Sequence, residues 1–278
     1  MKKWFVLIPV VMLLNAASAV AASKAVILAT TTSTQDSGLL DLLVPLFEKE
    51  SGYQVKTISV GSGQAMKMGE KGEADVLLVH SPDAEKSFMA AGFGVSRRLV
   101  MHNDFVIVGP SADPAGVKGA GGSADALKRI ARSGSLFASR GDNSGTHAKE
   151  KGLWKNAAIN PDGQKWYQQT GLGMGQTLNV AAEKKGYSLT DRATFLALKK
   201  NLGLIILAEG DSTLLNIYHV IELNIVKWPK VNGAGGKAFA DFMVSKKAQE
   251  LIGRFGVEKF GAPLFSPDAG KNPASLGL

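Results

Sequence analysis

The chain has 278 residues, 45% of them apolar, a formal charge of +8 and no cysteine. That length carries one large or two medium domains, and the missing cysteine excludes disulfides, zinc–thiolate sites and a thiol nucleophile. A basic balance suits an anionic partner, but Lys and Arg are scattered and no aromatics alternate with them, which argues against nucleic acid.

Lys2 and Lys3 precede an apolar run from Trp4 to Leu14 and small residues from Ala16 to Ala22. This is the layout of a secretory signal peptide over residues 1–22, with cleavage fitting equally after Ala19 or Ala22. No cysteine follows for a lipid, so a mature protein soluble outside the cytoplasm is expected. Val26, Ile27 and Leu28 predict a buried strand, and Leu39, Leu40, Leu43, Leu46 and Phe47 recur at helical spacing. Tyr53 to Val60 predicts a second strand, and Gly61-Ser62-Gly63-Gln64 turns it into a short helix. Asp75 to Val79 predicts a third, followed by a helix with Pro82 at its first turn. Phe105 to Val108 predicts a fourth, and residues 111–123 have a linker-like composition rich in Gly, Ala and Pro.

A second series follows: a helix over 123–132, a strand over 136–139, a polar turn from Arg140 to Thr146, a helix to about Asn156, and Thr170 to Thr177 leading into a helix to about Lys185. Thr190-Asp191 caps another helix, Leu204 to Leu207 and Ile217 to Leu223 predict strands, and residues 236–255 predict two helices. Strands alternating with helices predict an α/β fold with mostly parallel sheets. Two such series, joined near 108 and again near 210, predict two lobes.

In α/β sheets ligands sit beyond the carboxyl ends of the strands, and four polar turns occupy such places or helix starts. The first offers Thr31, Thr32 and Ser33 within five consecutive hydroxyl residues. The second offers Ser62 between two glycines. The third, SRGDNSGTH, offers Arg140, Ser144 and Thr146, and the fourth, GMGQT, offers Gln176 and Thr177. Together they supply hydroxyls, helix N-termini and one guanidinium, with few acceptors. Such a lining fits a fully ionised tetrahedral oxyanion. Phosphate, which keeps a proton near neutral pH, calls for an acceptor that Asp36 or Asp142 would have to supply. Taken singly, each turn is explained by ordinary helix capping; the set carries the argument.

The segments TTTSTQDSGLL, GSGQA, EADVLLVHSP, NDFVIVGP, SRGDNSGTH, GMGQTL, YSLTDRATFL and GLIILAEGD together resemble the periplasmic tungstate-binding proteins of ABC importers, the TupA type, in order over nearly all of the mature chain. The resemblance implies a type II periplasmic-binding-protein fold: two α/β lobes and two hinge crossings, with a first lobe over 23–107 and 213–278 and a second over 108–212. It implies Thr31, Thr32, Ser33, Ser62, Arg140, Ser144, Thr146 and Thr177 as ligand contacts. It also implies a monomer in the periplasm that captures tungstate or molybdate and delivers it to an ABC permease subunit in the inner membrane. No enzyme activity, cofactor or resident metal is expected. The rivals are a receptor for phosphate or sulfate and a secreted serine hydrolase using Ser144, His147 and Asp142. The hydrolase lacks G-x-S-x-G and S-x-x-K, and the four histidines show no metal-ligand spacing.

Overall fold

The structure, a computed structural model, describes residues 24–272 together with residues 1 and 276. Residues 2–22 of the signal-peptide segment and both of its cleavage points lie outside the described residues. From β1 (Ala25–Thr31) the chain runs through the one-turn α1 (Thr32–Asp36), α2 (Leu39–Ser51), β2 (Gln54–Val60), α3 (Ser62–Glu70), β3 (Val76–Val79), α4 (Pro82–Ala90) and the long β4 (Gly94–Pro110). It continues through α5 (Ser123–Ser133), β5 (Phe137–Ser139), α6 (Gly145–Asn156), β6 (Tyr167–Gln169), α7 (Met174–Glu183), β7 (Ser188–Asp191), α8 (Arg192–Leu198) and β8 (Leu204–Ala208). It returns through β9 (Leu215–Leu223), α9 (Gly233–Met243), α10 (Lys246–Arg254), α11 (Val257–Phe260) and β10 (Ser266–Pro267). No described helix is long and apolar enough to cross a membrane.

Successive side chains of a strand point to opposite faces, and β1 uses both. Val26 and Leu28 join Leu39, Leu43 and Phe47 of α2 and Phe239 of α9 in one core; Ile27 and Ala29 pack with Met66 and Met68 of α3 and Phe88 of α4 in another. The apolar run therefore reads as a strand buried on both faces. Phe47 meets the edge of Phe239 at 5.2 Å between ring centroids. Each such fully buried side chain contributes about 1.5–3 kcal/mol relative to exposure. The second lobe repeats the plan, with Phe137, Trp154 and Tyr167 on one side of its strands and Leu178, Phe195 and Leu204 on the other.

The strand expected at 105–108 is the end of a 17-residue strand. β4 pairs with β9 from Gly94 to Asp104, then with β7 and β8 from Phe105 to Pro110. One strand thus serves both sheets and changes partners between Asp104 and Phe105. The expectation of mostly parallel sheets is corrected. β1 lies parallel to β2 and β3, and β5 to β6, but β3–β9 and every pairing of β4 are antiparallel. The reason is topological: a strand that leaves one sheet, enters another and is met by the returning β9 runs against its neighbours.

Candidate oxyanion site

The first turn is where β1 gives way to α1. Thr30 donates to Leu78 O at 2.8 Å and so ties β1 to β3. Thr31 is the N-cap of α1, its Oγ1 accepting from Thr34 N at 3.3 Å and lying 2.6 Å from Thr34 Oγ1. Ser33 is 1% exposed, with Oγ 3.1 Å from Thr31 Oγ1 and 3.2 Å from His80 Nε2. Thr32 Oγ1 is buried and has no hydrogen-bond partner. Helix formation stops early because Gly38 turns the chain through a left-handed φ of 81° before α2 begins.

At the second turn Gly61 caps α3 with no side chain, and Ser62, 1% exposed, follows as its first residue with Oγ unpartnered. The flanking glycines allow close contact with the third turn. A Cβ at Gly63 would lie 2.8 Å from Asn143 O, and Gly63 N donates to that oxygen at 3.2 Å.

In the third turn, at the end of β5, Arg140 is 2% exposed and ion-paired through Nη2 to Asp142, while its Nε donates to Leu172 O at 3.2 Å. Nη1 meets no protein acceptor among the described residues. Burial pulls the guanidinium below its ordinary pKa and Asp142 pulls it back; a guanidinium stays charged regardless. Asp142 Oδ1 accepts from Ser144 N at 3.1 Å, and Ser144 Oγ caps α6 by accepting from His147 N at 3.2 Å. Thr146 is fully buried with Oγ1 unpartnered.

The fourth turn differs from the expected boundary, since α7 starts at Met174 and Thr177 lies inside its first turn. The helix begins there because Gly173 takes the cap position without a side chain. Thr177 is fully buried, with Oγ1 2.9 Å from Thr170 Oγ1 and 3.5 Å from the Leu172 O that Arg140 also uses.

These turns meet across the cleft. A Cβ at Gly173 would lie 3.6 Å from Thr32 Oγ1; one at Gly145 would lie 2.8 Å from Ser62 Oγ and 3.1 Å from His80 Cε1. Thr194 Oγ1 of α8 donates to Ser33 O at 3.0 Å, and Gly175 N of α7 donates to Asp36 Oδ2 at 3.2 Å. These contacts draw the four turns into one region, where Thr32 borders a cavity of about 380 Å³ with Asp36, Gly175 and Gln176, and Gly145 borders another of about 500 Å³ with His80, Asn143, Lys149 and Asn216. Within it Thr31 and Ser144 already use their hydroxyls as caps. Thr32, Ser62 and Thr146 have donors to give, and a buried hydroxyl left unpaired costs about 1–3 kcal/mol. No group of three or more His, Cys, Asp or Glu suited to a metal occurs among the described residues.

Residues 16–247 match the PBP superfamily domain. The tungstate-binding protein TupA of Peptoclostridium acidaminophilum is 50% identical over 252 residues, 90% of this chain and 88% of that protein. The solved tungstate ABC transporter protein of Geobacter sulfurreducens is 46% identical with a TM-score of 0.77, covering 83% of this chain and 98% of that one. The tungstate-binding protein TupA of Desulfovibrio alaskensis G20 is 49% identical with a TM-score of 0.72, covering 88% and 99%. This chain belongs to the TupA family.

A TupA-type fold accounts for what sequence reading missed. His80, Asn103, Asp191, Thr194 and Asn216 stand directly behind the first turn, yet His80 reads in the sequence as an isolated histidine and Asp191 as a cap only. The available signal was position, because His80 immediately follows the carboxyl end of β3. The hydrolase arrangement is absent from the third turn: His147 Nδ1 accepts from Asn143 N at 3.1 Å, Ser144 Oγ accepts only from the backbone N–H of His147, and Asp142 meets Ser144 only through its backbone N–H.

Proposed function

We propose that this protein is the periplasmic binding component of an ABC importer and captures tungstate between its lobes for delivery to a permease. The observation that carries the reading is the set of buried, unpartnered hydroxyls of Thr32, Ser62 and Thr146 on three separate turns, together with the buried guanidinium of Arg140 on the third. A dianion that only accepts hydrogen bonds satisfies all of them at once. The names carried by relatives at 45–50% identity support tungstate as that dianion.

In this reading the contacts are Thr31, Thr32, Ser33, Ser62, Arg140, Ser144, Thr146 and Thr177, with Thr31 and Ser144 acting chiefly by holding helix starts in place. The lobes are 23–107 with 213–278, and 108–212; the change of partners along β4 and the tight turn Ser212–Leu214 before β9 support two crossings there. Ligand shifts the hinge because only the closed form lets both lobes donate to it. The closed form is what a permease subunit in the inner membrane would recognise, with the binding protein acting as a monomer after removal of its signal peptide.

Isothermal titration with tungstate, molybdate, sulfate and phosphate tests the proposal. Tungstate at a thousandfold excess over Kd should raise stability by about 4 kcal/mol. Indifference to both tungstate and molybdate would refute the reading, and a preference for phosphate would favour the receptor alternative.

A further inference from the structure

A directed chain of hydrogen bonds runs behind the site. His80, 4% exposed, has Nδ1 2.8 Å from Asn216 Oδ1 and Nε2 3.1 Å from Thr31 Oγ1 and 3.2 Å from Ser33 Oγ. Asn216 Nδ2 donates to Asn103 Oδ1 at 2.8 Å and to Tyr218 Oη at 3.0 Å. Asn103 Nδ2 donates to Asp191 Oδ1 at 3.3 Å, and that oxygen also accepts from Thr194 N at 2.9 Å. Thr194 Oγ1 closes the ring on Ser33 O. Asn103 and Asn216 stand on β4 and β9 beside the crossing, so the chain links the first turn to the second lobe.

The chain has one direction. Asp191 Oδ1 already accepts a backbone N–H, so Asn103 must offer it an amide proton. Asn103 therefore turns its oxygen to Asn216, and Asn216 in turn offers its oxygen to His80. His80 Nδ1 must then carry hydrogen, which leaves Nε2 as a bare acceptor facing two hydroxyls. One lone pair takes one proton. Thr31 is the better donor to it, because its oxygen already accepts from Thr34 N as the α1 cap and sits close to Thr34 Oγ1. Stacking on Tyr218, with ring centroids 4.7 Å apart, holds the imidazole in plane.

We propose that His80 is the positioning residue of the oxyanion site: held as the Nδ1–H tautomer by Asn216, Asn103 and Asp191, it accepts the Thr31 proton and leaves the Ser33 proton for the anion. This rests on the oxyanion reading above. Burial keeps the imidazole neutral, its pKa down to about 4, with Arg140 and Lys149 pushing the same way against Asn216 and Glu85. A cation here would instead donate from Nε2 and reverse the order of the hydroxyls.

Nitrogen-15 NMR of histidine-labelled, ligand-free protein at neutral pH reads the tautomer directly. His80 should show protonated Nδ1 and bare Nε2, and Asn216→Leu should shift it toward the other tautomer. In titration calorimetry His80→Phe, which keeps the stacking on Tyr218, should weaken tungstate about tenfold, the effect of about one lost hydrogen bond. His80→Gln, whose amide oxygen can still accept from Thr31, should lose less. A protonated Nε2 in the wild type, or wild-type affinity in a folded His80→Phe, would overturn the proposal. If His80→Phe does not fold, the tautomer and Asn216→Leu decide alone. Wild-type protein blind to tungstate and molybdate sinks the oxyanion reading, and the tautomer still reports on the chain itself.

Discussion

The first and third turns approach the same space with opposite means. The first is neutral: five hydroxyl residues, of which Thr30, Thr31 and Thr34 are bonded within the protein, Ser33 lies within hydrogen-bond distance of Thr31 and His80, and Thr32 Oγ1 is unpartnered. The third is charged, with Arg140 buried and oriented by Asp142, whose other oxygen holds the start of α6. Their supporting groups differ as well. Behind the first turn burial holds the His80 imidazole neutral; behind the third, Glu150 accepts from Tyr167 Oη at 2.6 Å and Trp154 Nε1 at 3.2 Å, and burial pushes its carboxyl up to about 7. The difference teaches that the first turn offers uncharged donors held in a hydrogen-bonded frame, while the third offers a buried guanidinium already paired with a carboxylate.

Removing the charge should break this division most severely. Arg140→Ala is expected to reduce oxyanion affinity by about 2–5 kcal/mol, part of it from leaving Asp142 unpaired, as read by titration calorimetry. Arg140→Ala with Asp142→Asn should lose less than the sum of the two single changes, since the residues form one unit.

The support behind the third turn responds to pH. Because the folded state raises the pKa of Glu150, this carboxyl binds more protons in native protein than in unfolded chain between pH 5 and 7, so its contribution to stability falls as pH rises across that window, against the rise contributed by buried His80. Asp191, pushed up to about 6 by full burial, acts in the same sense as Glu150. Glu150→Gln should remove on the order of 2 kcal/mol of that fall, measured by urea unfolding at the two pH values. An unchanged slope would assign the effect elsewhere.

Ser62→Ala separates ligand contact from scaffold. Because Ser62 Oγ is unpartnered and buried without ligand, its loss should leave free protein as stable or up to about 1 kcal/mol more so, while weakening tungstate by about 1–1.5 kcal/mol. Equal losses with and without ligand would make it a scaffold residue. Smallest is Thr31→Ala, where loss of the α1 cap should lower stability by about 1 kcal/mol and affinity by a similar amount. Calorimetric melting with and without tungstate measures both.

Strands and helices were largely legible because apolar periodicity reports local burial: β1, α2, β3 and β9 all stand where their Val, Ile and Leu residues recur at strand or helix spacing. The full length of β4 was not, because Arg97, Arg98, His102 and Asp104 break its apolar pattern. Those residues are accommodated by distant partners, with Arg97 on Glu85, Arg98 on Glu222 and Asp241, His102 on Asp268 and Asp104 on Arg192. Partners that far apart in the chain leave no periodic trace.

By itself the sequence determined an α/β chain in two series, four donor-rich turns at strand and helix ends, and one arginine among them, because these follow from local preference and spacing. Only the tertiary structure decided which hydroxyls stay unpartnered, that Thr31 and Ser144 cap helices, and that His80, Asn216, Asn103 and Asp191 form one directed chain. Hydrogen-bond direction depends on which donor faces which acceptor, and only the folding of β3, β4, β7 and β9 around one crossing brings those four side chains within reach of each other.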